Sequence, residues 1–219
     1  MNWPIHELAG TADELHHLET GAERGAWLLH VDRPTLVLGS AQSADILDHE
    51  RLEASGVVVA RRRSGGGLVG LEPGGSLWVD VVVPVDDPLW RADVGRSFLW
   101  LGETWRSTVA AFGLDGVVVD HPHRDRAWSE LICFAGHNTG EVLVGEGKVV
   151  GLSQRRTREM ARFQALVLLD PSLDLVIDHL ALGDGDRERL RTQSSAMTAA
   201  VPASADVLVE RFLDELAGR

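Results

Sequence analysis

One α+β domain, with short strands and helices sharing a single core, is the fold class this sequence predicts, and three observations carry it. A chain of 219 residues with no internal repeat and no linker long enough to divide it has room for one sizeable core, burying roughly 70% of its unfolded surface. Strand signals recur: Leu77, Val79, Val81 and Val83 alternate with Trp78, Asp80 and Val82, the period of two that a pleated strand imposes. Helix signals are interleaved with them, most plainly Val94, Phe98, Leu101, Trp105, Val109 and Phe112, which fall on one stripe at helical spacing.

The elements follow in chain order. Thr11 and Glu14 have capping-box spacing, so a first helix is expected over 12–24. Residues 27–31 and 35–38 read as strands separated by Pro34, and 44–54 as a helix halted before Gly56. A strand over 57–60 feeds an arginine-glycine loop, and 68–70 is the expected partner of the strand over 77–83 that ends at Pro84. Gly113 lies where a glycine cap of the stripe helix belongs. Strands are expected at 117–119, 141–144, 148–152 and 163–169, with Gly145-Glu146-Gly147 as the hairpin turn before Lys148. Residues 172–180 and 204–216 read as helices, with Gly183-Asp184-Gly185 a loop leading to a short charged helix between them.

Composition narrows the function. A net charge of -12 argues against general nucleic-acid binding. No apolar run approaches the ~20 residues of a membrane helix, and MNWPIHELAG lacks a secretory leader, so a cytoplasmic protein is expected. Of 21 lysines and arginines only Lys148 is a lysine. Either that is a compositional leftover, or the chain keeps one compact ammonium whose properties shift on burial. Cys133 is the single cysteine, a thiol without a disulfide partner; it is either a small buried hydrophobe or a nucleophile.

Gly65-Gly66-Gly67-Leu68-Val69-Gly70 matches the G-x-G-x-x-G spacing, but it leads into Pro73, Gly74 and a strand rather than a helix, so a dinucleotide loop is rejected. Three residues without Cβ still let a backbone approach a ligand and turn N–H groups toward an anion; a loose loop with solvated arginines is the plain alternative. Asp120-His121-Pro122-His123-Arg124-Asp125 reads as a solvated turn rather than a metal site, and no metal ligands are expected elsewhere. His16-His17 reads as helix surface, and most tryptophans as core.

Arg61-Arg62-Arg63-Ser64-Gly65-Gly66-Gly67 resembles the RRxSGGG loop of lipoate-protein ligases, and Lys148-Val149-Val150-Gly151-Leu152-Ser153-Gln154-Arg155-Arg156 resembles the second signature of the same superfamily. Pro34 to Gly39 with Gln42, and 193–202 more loosely, resemble further segments, so the likeness spans most of the chain. It implies the biotin/lipoate ligase catalytic fold, related to class II aminoacyl-tRNA synthetases: a mixed, largely antiparallel sheet flanked by helices, here one domain over 1–219 without a C-terminal accessory domain. It also implies attachment of a lipoyl or octanoyl group to a lysine of a lipoyl carrier domain, of the 2-oxoacid dehydrogenase E2 or glycine cleavage H protein type. Carried over, Lys148 contacts the reacting carboxyl, while Arg62, Arg63, Ser64, Gly65, Gly66, Gly67, Gly151, Ser153 and Gln154 bind substrate.

Two routes stay open. Ligases of this kind use ATP and Mg with lipoate or octanoate. Cys133-Phe134, ahead of the lysine hairpin, resembles the nucleophile of octanoyltransferases and amidotransferases, which accept an octanoyl thioester without ATP. Leu71-Glu72 and Gly74-Gly75 stand where the ligase pattern has His-Asp and Gly-Asn pairs, a departure that bears on adenylation. A non-catalytic acyl-binding relative is the third reading. Arg155, Arg156 and Arg158, with Arg162 nearby, are the expected face for an acidic carrier surface.

Overall fold

The computed structural model describes residues 3–123 and 128–219. Its main sheet has seven strands: β1 (Ile5–Gly10), β2 (Gly25–Val31), β6 (Ser76–Pro84), β10 (Met160–Leu168), β9 (Gly147–Arg156), β8 (Val142–Val144) and β7 (Gly116–Val118), adjacent in that order. Only β1 and β2 run parallel; the other neighbours are antiparallel. A second sheet joins β4 (Val58–Arg61), β3 (Thr35–Leu38) and β5 (Val69–Leu71). This is the α+β class with a mixed, mostly antiparallel sheet that the sequence predicts.

Several local expectations are corrected. The segment expected to pair with β6 instead lies antiparallel to β3 as β5, because both edges of β6 are taken by β2 and β10. The first helix, α1 (Ala12–His17), has its capping box, with Glu14 N–H donating to Thr11 Oγ1 at 3.3 Å and Thr11 N–H to Glu14 Oε2 at 3.0 Å. It nonetheless stops short of residue 24, where the Arg162 guanidinium takes over the carbonyls of Leu15 and Leu18 at 2.8 and 2.6 Å. The helix expected over 44–54 is split into a 3₁₀ turn, Ala44–Ile46, and α2 (His49–Ser55). Its interruption is tertiary: Leu47 bridges to Leu180 and Asp48 N–H bonds the His179 carbonyl. The stripe helix is a 3₁₀ turn, Arg96–Phe98, followed by α3 (Leu99–Ala110), with Gly113 at φ +78° beyond it. The chain closes with α4 (Asp174–Asp178), shorter than expected, then α5 (Asp184–Ser194) and α6 (Ala205–Ala217). Strand β1 had no expectation attached to it; its residues are mostly exposed, so burial alternation does not mark it.

The main sheet buries both faces. On one, α3 and α6 pack their apolar stripes against Val79, Val81 and Ala165, and the Trp105 and Phe212 rings stack at 4.0 Å and 16°. The other face carries Trp78, Val82 and Leu166 and is covered by α1 and the small sheet. Among the described residues no helix is long and apolar enough to cross a membrane.

Because the stacked rings join both helices to the sheet in a fully buried layer, Phe212→Ala is expected to destabilise the protein by about 3–5 kcal/mol. Urea unfolding would read this as a lowered midpoint with an unchanged slope.

Candidate active site

A pocket with about 580 Å³ of empty space, open solvent at its mouth included, lies between the two sheets. Strand register builds its floor. Gly151 of β9, Leu166 of β10 and Trp78 of β6 form one cross-strand row, and Ser153, Gln164 and Asp80 form the next. Val37, Val69 and Leu71 of the small sheet roof it, and Cys133 and Phe134 close the β9 side. The lining is therefore largely apolar, with few polar groups, as in small-molecule sites generally.

The glycine loop closes the third side under tight steric control. A Cβ on Gly39 would lie 1.9 Å from the Gly66 carbonyl oxygen, and one on Gly67 would lie 2.6 Å from the backbone at Ile132 and Cys133. Side chains at either position would push the loop off both neighbours. Arg62 is buried and donates to the Gly65 carbonyl at 3.1 and 3.2 Å and to the Gly67 carbonyl at 2.7 Å. Its guanidinium thus clips the loop shut while lining the pocket. Arg61 donates to the Gly39 and Gln42 carbonyls, and Gln42 reaches the Leu131 carbonyl at 3.0 Å. Ser64 lies behind the wall, its hydroxyl 3.2 Å from Ser153 Oγ and 3.3 Å from Gln164 Oε1.

Lys148 is fully buried, and so is the carboxylate it meets: Nζ lies 2.8 Å from Glu141 Oε2, both side chains being 0% exposed. The ammonium also donates to the Cys133 main-chain carbonyl at 2.7 Å and sits 5.3 Å from the Phe134 ring centroid. Glu141 is satisfied further by the N–H groups of Asn138 at 2.7 Å and Leu152 at 3.4 Å. Burial pushes the Glu141 carboxyl up from its ordinary range, and the Lys148 ammonium beside it opposes that push. The Lys148 backbone is pinned by Met197 and Ala199 in a bridge to the 197–199 segment. Its side chain passes beside Gly151, against the pocket wall rather than in the lining.

A family model described as the lipoyl protein ligase A/B catalytic domain matches residues 8–209. The chain belongs to this family. Among solved structures, the fold is similar to a bipartite lipoate protein ligase from Thermoplasma acidophilum, at 18% identity and a TM-score of 0.77 over 100% of this chain and 83% of that one. It is also similar to a lipoate-protein ligase A bound with ATP, at 19% identity and TM-score 0.72 over 100% and 85%. P. falciparum LipL1 in complex with lipoate follows at 12% identity and TM-score 0.62, over 98% and 60%. No curated protein sequence matches the chain.

Within this family domain, Cys133, Gly65, Gly66, Arg62, Gly151 and Ser153 meet at the pocket. Gln154 does not join them; its amide donates to Ser97 Oγ at 3.2 Å, because alternate residues of β9 face opposite sides. Arg63 pairs with Glu19 at 2.7 Å, and Arg155 shares that carboxylate at 3.4 Å. The second arginine group is not one cluster. Arg156 stacks on Trp90 at 4.0 Å and donates to the carbonyls of Arg91 and Ala92, whereas Arg162 is buried on Asp80 at 2.5 Å. His16 is corrected outright: it is buried in the pocket wall against Trp78, not on a helix surface. Of the 120–125 segment, Arg124 and Asp125 lie outside the described residues; Asp120 and His121 are exposed, and among the described residues no group of three His, Cys, Asp or Glu converges.

Glu141, Gln164 and His16 were not singled out as site residues from sequence. A signal for Glu141 existed: the hairpin register pairs Leu143 with Lys148 across a two-residue turn, so a carboxylate just before β8 returns toward the lysine. His16 and Gln164 offered no such local cue.

Removing one partner of a buried pair strands the other charge, so Lys148→Met is expected to cost about 3–5 kcal/mol, with Lys148→Met/Glu141→Leu regaining most of it in urea unfolding. His16 is held neutral, its pKa lowered to about 3 by burial and by the Arg62 and Arg162 charges. Since the unfolded chain takes up a proton near pH 6.5 and the folded one does not, stability falls as pH drops from that value toward the folded pKa. Between pH 7 and 5 the wild type is expected to lose about 2 kcal/mol more than His16→Gln, as read by unfolding at each pH.

Proposed function

We propose that the protein transfers a medium-chain acyl group, lipoyl or octanoyl, onto a lysine of a lipoyl carrier domain. The observation that carries this reading is the apolar pocket bounded at one end by Cys133 and the clipped glycine loop, with the buried Lys148 ammonium holding the Cys133 carbonyl from behind the wall. The acyl chain lies along the Gly151–Leu166–Trp78 row, with its carbonyl at the Gly151 end. An ammonium has three N–H donors. Two meet the Cys133 carbonyl and Glu141, so the ammonium, packed outside the lining, acts on the acyl site by fixing the Cys133 segment against it. The similar structures support the partner and substrate classes, one belonging to a bipartite ligase described with its E2 lipoyl domain and another holding lipoate.

The ATP-driven route is weighed against the residues present. Each arginine beside the glycine triplet is already engaged: Arg61 and Arg62 on carbonyls, Arg63 on Glu19. Leu71, buried and apolar, stands where ligases of the resembling pattern carry histidine, and Glu141 is committed to Lys148. This set fits a triphosphate with Mg poorly, although a similar structure is bound with ATP. Cys133 on the pocket wall instead favours a thioester route. There the Cys133 thiolate attacks the thioester carbonyl and the donor thiolate leaves and takes up a proton; the neutral carrier amine then displaces Cys133 as thiolate and releases a proton. Exposed Arg158, with Arg63 and Arg155 sharing the single Glu19 carboxylate, leaves a net basic face toward an acidic carrier.

Intact-mass analysis after incubation with octanoyl-carrier thioester, or with ATP, Mg and lipoate, tests this. The thioester route predicts a hydroxylamine-labile octanoyl adduct on the protein, absent in Cys133→Ser, and a modified acceptor carrier. Carrier modification that needs ATP and survives Cys133→Ser selects ligation instead. Acyl binding with no modified carrier under either condition overturns the enzymatic reading.

A further inference from the structure

Resting on this acyl-transfer reading, we propose that His16 is a specificity-determining residue that selects acyl chains carrying a hydrogen-bond acceptor near their distal end over plain alkyl chains.

Gly151 lies beside the Lys148 and Phe134 side chains, and the row then crosses Leu166 to Trp78. That is two interstrand spacings, roughly 10 Å, so a chain whose head group is at Cys133 brings its tail to Trp78. There the His16 ring sits against the indole, with centroids 4.3 Å apart.

The tautomer of His16 follows from its neighbours. Gln164 Oε1 faces the hydroxyls of Ser64 and Ser153 at 3.3 and 3.4 Å. That leaves the amide nitrogen, which only donates, as the end of Gln164 turned away from the serines. The same nitrogen is 3.5 Å from His16 Nδ1. Nδ1 is thereby the acceptor of a neutral ring, and the proton resides on Nε2. Burial and the nearby Arg62 and Arg162 charges keep the ring from taking a second proton. Among the described residues Nε2 makes no hydrogen bond, and His16 is part of the pocket lining. That N–H is a donor at the Trp78 end of the pocket, where Arg62 and Gln164 share the lining.

An alkyl tail would cover this donor without pairing it, which is unfavourable. A sulfur of a dithiolane ring, or a hydroxyl oxygen, pairs it. The two sources share this acceptor chemistry and differ in bulk.

Calorimetric binding of octanamide, lipoamide and ω-hydroxyoctanamide to the full chain separates them, because the identical neutral head groups leave only the tail to vary. For the wild type, lipoamide and ω-hydroxyoctanamide are expected to bind roughly tenfold tighter than octanamide. In His16→Leu that ratio falls to about one while octanamide binding is kept or improved, which also reports an intact pocket. His16→Gln, which retains an N–H donor, keeps some of the preference and serves if His16→Leu does not fold. Equal wild-type affinities, or a preference that survives in His16→Leu, overturn the proposal and leave the acyl reading standing. Failure of all three amides to bind removes the acyl reading and this inference with it.

Discussion

The buried contact between Lys148 and Glu141 holds the reactive end of the pocket in place. Two side chains with no exposed surface meet at 2.8 Å, and the same ammonium reaches the main chain of Cys133. In a low-dielectric interior such a pair is tolerable only with its remaining polar sites filled. The N–H groups of Asn138 and Leu152 on Glu141 do that. The consequence is mechanical: the β8–β9 hairpin, the Cys133 segment and, through Gly67, the glycine loop become one unit. Cys133 N–H bonds the Leu68 carbonyl at 3.0 Å, and Gly67 has no room for a side chain against Ile132 and Cys133. The thiol, the loop and the lysine are positioned by one another.

A second buried pair does the same work at the opposite end. Asp80 accepts from Arg162 and from the Trp78 indole N–H, while Arg162 also caps the carbonyls at the end of α1. Burial pushes the Asp80 carboxyl up, and Arg162 opposes it. That arrangement places His16 over Trp78 and orients Gln164. Each end of the pocket is therefore anchored by a charged pair from different elements, and the apolar row between them carries no charge. Such pairs add little net stability, but each has few geometric solutions, which suits a site whose walls come from two sheets.

The arginine-rich surface reads differently in three dimensions than along the chain. Neighbouring arginines in sequence divide into clips for carbonyls, a stacked side chain on Trp90, partners of Glu19 and the buried Arg162. Guanidinium groups offer five donors in a rigid fork, and the chain uses several of them to satisfy loop carbonyls that no strand pairs. A basic stretch in a sequence is thus weak evidence of a basic surface.

Periodicity and local caps made much of the architecture legible along the chain itself. The β6 alternation, the stripe of α3, the capping box at Thr11 and the hairpin ahead of Lys148 are all properties of short segments, and each is present. The two signature loops, read together, led to the family that the comparisons show. What local sequence could not supply was pairing at a distance: β5 with β3 rather than β6, the end of α1 at Arg162, the break at Leu47, and the burial of His16. The physical reason is common to them all. Backbone preference and hydrophobic period act over a few residues, whereas which strand edge is vacant, which carbonyl lacks a donor and which charge must be matched in the interior are settled only when distant segments compete for the same partners.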